Sequence, residues 1–283
     1  LMNEGTALKT PEELESAMGL LGARIRFYSD TEGMGVSISG LSKNFKDVIA
    51  LTEEMMLQPR FDSAALARTK TRIKAMIRQS SVDPRSIAMD VTGRLLYGPE
   101  ATLSLDAYGT AESVDSITMD DVKAFYNANY SPSISSFTIA GAIDQKETEK
   151  ILASLVEKWK AKDVTVPEPK AGVAAKRGTI YFVDYPNAPQ SMIIVSKTSM
   201  PFNSPDFYPT SIANYRLGQG SQGMLFDVLR LQKGFTYGAY SNVIGGEYLN
   251  LFMASSSVQG SATKESVQIF RDLIGGYAEA IND

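Results

Sequence analysis

Histidine and cysteine are both absent from this chain of 283 residues, and that double absence limits its architecture as well as its chemistry. No disulfide can staple its loops, and no imidazole or thiolate zinc site can nucleate a fold. Its structure has to rest on buried apolar surface. With 43% hydrophobic and 21% charged residues the chain has the material for that. Its length suggests about two domains on a prior of ~150 residues each. The same absence removes Ser-His-Asp and Cys-His nucleophile systems and all thiol redox chemistry. Carboxylates, carbonyls and water are the only ligands left for a metal.

A net charge of -4 and a pI near 5.2 argue against a polyanion partner. No basic cluster is interleaved with aromatics, so nucleic acid is not expected. No apolar run approaches the ~20 residues of a membrane-spanning helix. The chain opens Leu1-Met2-Asn3-Glu4, without the basic and apolar regions of a signal peptide, and reads as an internal piece of something longer. The missing cysteines are compatible with an oxidising compartment.

Local patterns are clear in most places. Thr10-Pro11-Glu12-Glu13 combines an N-cap, a proline at the first helical position and an N3 glutamate, predicting a helix that stops at Gly22. Arg24 to Ser29 and Met34 to Leu41 alternate, with Ile25, Phe27, Met34, Val36 and Ile38 on one side, which predicts a hairpin. Asn44 to Leu57 reads as an amphipathic helix with Phe45, Val48, Ile49, Leu51, Thr52, Met55 and Met56 inward, ended by Pro59. Further helices are predicted from Asp62 to about Gln79, from Pro84 to Leu96, from Thr118 to Asn129 and from Gln145 to Trp159, with a strand over Ile134 to Ala142. A Pro-, Lys- and Val-rich stretch then reads as a linker.

Beyond it, strands are predicted over Thr179 to Asp184 and Ser191 to Ser196, and helices over Asp206 to Leu217 and Ser221 to Gln232. A hairpin of Gly234 to Ile244 with Tyr248 to Ser256 follows, then a last helix from near Thr263. The fold class is α+β: two tandem domains, residues 1–160 and 178–283, joined by a linker at 161–177. Each is a mostly antiparallel sheet packed with helices, and both are expected to be truncated.

Several motifs tempt and fail. Gly218-Gln219-Gly220-Ser221-Gln222-Gly223 has dinucleotide-fingerprint spacing, but it follows a predicted helix and no acidic residue lies at the required distance. It reads as a loop between helices. Ser261-Ala262-Thr263-Lys264 lacks the companion motifs of a Ser-x-x-Lys nucleophile, so Ser261 or Thr263 reads as a helix cap. The pairs Glu53-Glu54 and Asp120-Asp121 read as solvated helix faces, and Trp159 and the helically spaced methionines as core. Arg230 to Tyr237 has two readings. One is a cation at a helix C-terminus beside a strand-forming aromatic. The other is a guanidinium and a phenol converging at a strand edge, both able to hydrogen-bond the carbonyls of an extended peptide.

Segments spread along the chain carry a resemblance. They are Leu1 to Thr6 with the helix from Thr10 to Ala23, then Leu57-Gln58-Pro59-Arg60-Phe61, then Gly109-Thr110-Ala111-Glu112-Ser113-Val114 followed by Ile117-Thr118. Leu217-Gly218-Gln219-Gly220, Leu225-Phe226-Asp227-Val228-Leu229-Arg230 and Gly234-Phe235-Thr236-Tyr237 follow in order. In order and spacing they resemble the pitrilysin/insulinase family of zinc metallopeptidases, which also contains mitochondrial processing peptidase and core proteins of a respiratory cytochrome complex. The resemblance implies that Arg230 and Tyr237 are the family's Arg-x6-Tyr substrate-binding pair. It places the catalytic His-x-x-Glu-His motif just before Leu1, and the third zinc ligand, a glutamate, at Ala75, Met76 or Ile77, none of which can ligate zinc through its side chain.

The chain is therefore expected to be the non-catalytic, substrate-binding lobe, inactive alone, with no metal ligand and no catalytic residue of its own. Its expected partners are a zinc-binding catalytic lobe, fused or separate, and a peptide substrate. A periplasmic or otherwise extracytoplasmic setting goes with that reading. The other expectation is a structural subunit of the same fold with no peptidase role.

Overall fold

A computed structural model describes residues 1–30, 32–99, 101–104, 106–167, 176 and 178–280. They group into two compact units, Leu1–Ile77 with Tyr108–Glu168, and Arg78–Ala107 with Pro169–Asp283. Residues 168–175 and 177 of the expected linker lie outside the described residues.

In the first unit the Thr10 capping box forms, and α1 (Pro11–Leu21) ends on Gly22 in the left-handed region at φ 58. The hairpin β1 (Arg24–Ser29) and β2 (Met34–Ser39) pairs Ile25 with Ile38 and Phe27 with Val36. Helix α2 (Phe45–Leu57) presses Val48, Leu51 and Met55 onto Leu14 and Ile25 to make the core. Met34 is 54% exposed, so the buried stripe of β2 stops at Val36 and Ile38.

Glu53 and Glu54 are not a solvated face. Lys158 holds Glu53 at 2.6 Å and Lys9 holds Glu54 at 2.7 Å, each carboxylate largely covered. Asp62 caps α3 (Ser63–Ser80) by accepting from the Ala65 amide. The preceding Phe61 takes φ 48, unusual for a bulky side chain, and lays its ring edge-on to Tyr126.

The stretch from Gly109 to Thr118 turns out to be two consecutive caps. Thr110 starts α5 (Ala111–Ser116), a short helix the sequence pattern does not single out, and Thr118 starts α6 (Met119–Asn129). Helix α7 (Gln145–Lys158) closes the unit. Trp159 is half-buried rather than core, tilted against Tyr130 with ring centroids 5.0 Å apart.

The second unit holds α4 (Pro84–Tyr97) and a three-stranded antiparallel sheet in the order β3-β5-β4. Its strands are β3 (Gln190–Thr198), β4 (Thr236–Gly245) and β5 (Asn250–Gln259). Helix α8 (Phe207–Gly218), the turn α9 (Met224–Phe226), a π-helix over Asp227–Gln232 and α10 (Thr263–Gly275) pack around it, followed by α11 (Tyr277–Ala280). Leu217, Leu225, Leu229, Ala239, Ala254, Val258 and Phe270 form the core. Helix α4 packs on β3, and the Tyr97 hydroxyl donates to the Asn250 carbonyl at 3.2 Å.

Two expected strands are absent among the described residues. After the 3-10 turn Pro132–Ile134, the run to Ala142 joins no ladder, and neither does Thr179 to Asp184. Strand preference is a preference for a pleated, half-buried surface, and without a neighbouring chain to bond it has nothing to act on. Ile180 and Phe182 are 75% and 80% exposed.

The helix caps make stability depend on acid. Hydrogen bonds from Ser86, and from Thr118, hold the carboxyls of Asp83 and Asp121 below their ordinary value of 3.8. A depressed carboxylate contributes fully above its unfolded pKa and loses that contribution as pH falls through the folded value. The melting temperature should therefore drop from about pH 4 downward. In the D83N/D121N protein, which keeps both cap acceptors but cannot titrate there, a pH series of melts should show a shallower drop. An identical drop would mean that these caps do not contribute.

Candidate functional site

Three glycines set the approach to β4. A Cβ on Gly218 would lie 2.5 Å from the backbone N of Ser241, and one on Gly223 would lie 2.6 Å from Gly218 Cα. Gly220 takes φ 69. The Gly-x-Gly-x-x-Gly run is thus a packing device that brings the end of α8 against β4, not a phosphate cradle. Asn214 fixes the contact: its amide donates to the Ser241 carbonyl at 3.0 Å and its carbonyl accepts from the Ser241 hydroxyl at 2.7 Å, all buried.

From there the chain makes the π-helix, a geometry that places one extra residue in a turn and recurs at functional sites. Leu229 points into the core, fully buried, while Arg230 lies half-buried at the surface. Gly234, at φ 67, turns the chain into β4.

The start of β4 is a bulge. Thr236 pairs with Val258 and Ala239 with Ser256, so Tyr237 and Gly238 together face the single Ser257. Both Thr236 and Ala239 consequently point inward, and Tyr237 is turned out to 81% exposure. Tyr240 lies on the same outer side, its phenol over Gly238, where a Cβ would come within 2.5 Å of the hydroxyl oxygen. Phe226 flanks it at 6.3 Å between ring centroids.

Arg230 and Tyr237 meet. The guanidinium carbon sits 5.0 Å from the centroid of the Tyr237 ring, and Nη1 donates to the Thr236 carbonyl at 3.3 Å. The cation–π contact contributes about 0.5–1 kcal/mol at an exposed site. Arg230 has no ion-pair partner among the described residues. Its remaining N–H donors and the phenol together form a donor surface suited to carbonyl or carboxylate oxygens.

The other expected positions carry no such arrangement. No group of three acidic residues able to hold a metal occurs among the described residues. Ala75 and Met76 lie exposed on α3 with Ile77 half-buried beside them. Thr263 does not cap α10; its hydroxyl lies 2.7 Å from both the Gly260 carbonyl and the Ser191 hydroxyl. Sequence reasoning found the Arg230–Tyr237 spacing but missed the bulge, Tyr240 and Phe226. The signal for the bulge was Gly238 directly after Tyr237.

The pattern of the family described as the peptidase M16 inactive domain matches residues 116–283, more than half of the chain and the part that holds this site. The chain belongs to that family. Among relatives of the M16 chain, an uncharacterized zinc protease of Streptomyces coelicolor is 21% identical over 99% of this chain and 61% of its own length. A protein of Helicobacter pylori named a non-peptidase homolog is also 21% identical, over 99% of this chain and 64% of its own. The M16 chain thus spans less than two thirds of either relative.

Among solved structures, an M16 inactive domain from Pseudomonas fluorescens superimposes with a TM-score of 0.89 at 22% identity, over 98% of this chain and 67% of that one. The periplasmic protease PqqL of Escherichia coli gives 0.76 at 13% identity, over 97% and 30%. The expected family and the α+β class of the M16 chain are therefore met. No helix among the described residues is long and apolar enough to cross a membrane.

Proposed function

We propose that this chain is the non-catalytic, substrate-contacting lobe of a zinc-dependent peptidase acting on extended peptides. The observation that carries the reading is the Arg230 guanidinium stacked on an outward-turned Tyr237 at the edge strand β4, with hydrogen-bond donors unspent. A peptide in extended form presents a row of carbonyls to such donors. Arg230 binds and orients a backbone carbonyl near the scissile bond, and the Tyr237 hydroxyl donates beside it. Charge developing on that oxygen during peptide cleavage strengthens both bonds. The chain has no histidine or cysteine and no acidic cluster able to hold a metal among the described residues, and the reading assigns the metal to the partner lobe, where zinc would supply Lewis acidity.

The test is complementation with the zinc lobe. R230A should lower kcat/KM roughly 100-fold and Y237F roughly 10-fold. Unchanged activity in both variants would overturn the reading.

A second reading, a structural subunit without peptidase role, draws support from the relative named a non-peptidase homolog. It predicts no anisotropy change when labelled denatured peptide is titrated with this chain. An extracytoplasmic setting is supported by the likeness to a periplasmic protease and agrees with the missing cysteines. Recovery of the native protein only in the cytoplasmic fraction would refute that setting.

A further inference from the structure

We infer that Thr236 is the positioning residue of the Arg230–Tyr237 pair, with Ser256 as its support, which rests on the reading of that pair as a peptide contact. Thr236 stands on the inner side of the sheet, 5% exposed, where an apolar side chain would pack more simply. Its hydroxyl is used completely. It donates to the Ser257 carbonyl at 2.6 Å, and it accepts from the Gly238 amide at 3.1 Å and from the Ser256 hydroxyl at 2.9 Å. One proton and two lone pairs can do no more. The Ser256 hydroxyl, itself 3% exposed, also lies 2.9 Å from the Gly238 carbonyl, so its single proton is divided between that carbonyl and the Thr236 oxygen, and the second residue of the bulge is held chiefly at its N–H.

The main chain of Thr236 completes the arrangement, because its carbonyl is the acceptor for Arg230 at 3.3 Å. A single residue thus holds Arg230 through its carbonyl and the bulge that turns Tyr237 outward through its hydroxyl. Its branched β-carbon restricts χ1 and so fixes the direction of that hydroxyl. Without the hydroxyl, the Gly238 N–H and the Ser257 C=O lose a buried partner, and the strand is released toward a regular ladder. In a regular ladder positions 237 and 239 share one face, which would send the Tyr237 ring toward the core and away from Arg230.

The experiment compares T236S, which keeps the hydroxyl, with T236V, which matches the shape and lacks it. Two quantities are read in each. One is the ring-current displacement of the Arg230 side-chain protons in NMR, referenced to Y237A. The other is affinity for a fluorescent unfolded peptide. T236S should keep both, while T236V should lose the displacement to the Y237A level and bind about tenfold more weakly. S256A should lose part of each.

A T236V protein that retains the displacement overturns the inference, and so does a T236S protein that loses it as fully as T236V. If T236V does not fold, an S256A protein with an unmoved displacement overturns it instead. A wild-type chain showing the displacement but no peptide affinity sinks the peptide reading alone, and the displacement in the variants still decides the role of Thr236.

Discussion

Replacing Phe270 with alanine should destabilise the protein by about 3–5 kcal/mol, in the range for emptying a buried aromatic site. The side chain projects from α10 with none of its surface exposed, and it is the largest fully buried side chain described. Around it lie Leu217 from α8, Leu225 and Leu229 from α9 and the π-helix, and Ile193, Ala254 and Val258 from the sheet. These groups belong to separate elements already held by ladders and helical bonds, so they cannot all move in to fill the space. A domain is stable by only about 5–15 kcal/mol in total, so such a loss removes a large share of it. Urea unfolding followed by far-UV circular dichroism measures the change. F270L, which keeps most of the volume, should lose less than about 1.5 kcal/mol. A loss below about 1 kcal/mol for F270A would mean that the core around α10 collapses freely and does not template the sheet.

The second large effect has the opposite sign from the one local propensity predicts. Gly218 is the last residue of α8, and alanine in a helix is ordinarily better than glycine by up to ~1 kcal/mol. Here a Cβ would stand 2.5 Å from both the backbone nitrogen and the hydroxyl oxygen of Ser241, and 3.0 Å from Leu225 Cδ1. Backbone cannot rotate away as a side chain can, so α8 has to lift from β4. Lifting stretches the buried Asn214–Ser241 pair, whose unsatisfied groups cost about 1–3 kcal/mol, in addition to a similar overpacking penalty. G218A should therefore lose about 3 kcal/mol in the same unfolding assay. Stability at or above wild type would show that helix and strand are not in the close contact described.

Much of this was legible in the sequence wherever the controlling interactions are local. The caps at Thr10, Asp62, Asp83 and Thr118 each depend on residues within three positions, and each forms as its pattern predicts. The inward face of α2 follows from helical spacing alone. What failed were features that need a distant partner. Thr179 to Asp184 has the side chains of a strand, yet a ladder requires a second strand that local pattern cannot supply. The grouping of Arg78–Ala107 with the later unit rests on α4 packing against β3, about a hundred residues on, which periodicity does not encode. Glu53 and Glu54 looked solvated because Lys158 and Lys9 lie far off in the chain. At the candidate site the spacing of Arg230 and Tyr237 was readable, but their stacking was not. It depends on a π-helix and a bulge, each adding one residue to a regular count.

That added residue in β4 works as a phase slip. Residues before it and after it obey the same two-residue rhythm, but with opposite parity, so the outward-facing set changes from odd to even at Gly238. An Arg-x6-Tyr spacing in another chain consequently says little by itself, because the face on which the tyrosine stands depends on the phase of the strand around it. The transferable signature is Arg-x6-Tyr-Gly, whose last letter leaves room for the Tyr240 phenol. Deleting that one residue would make the ladder regular with Thr236 and Ala239 still inward and the phenol still outward, whereas ironing out the bulge with the residue kept would turn the phenol inward.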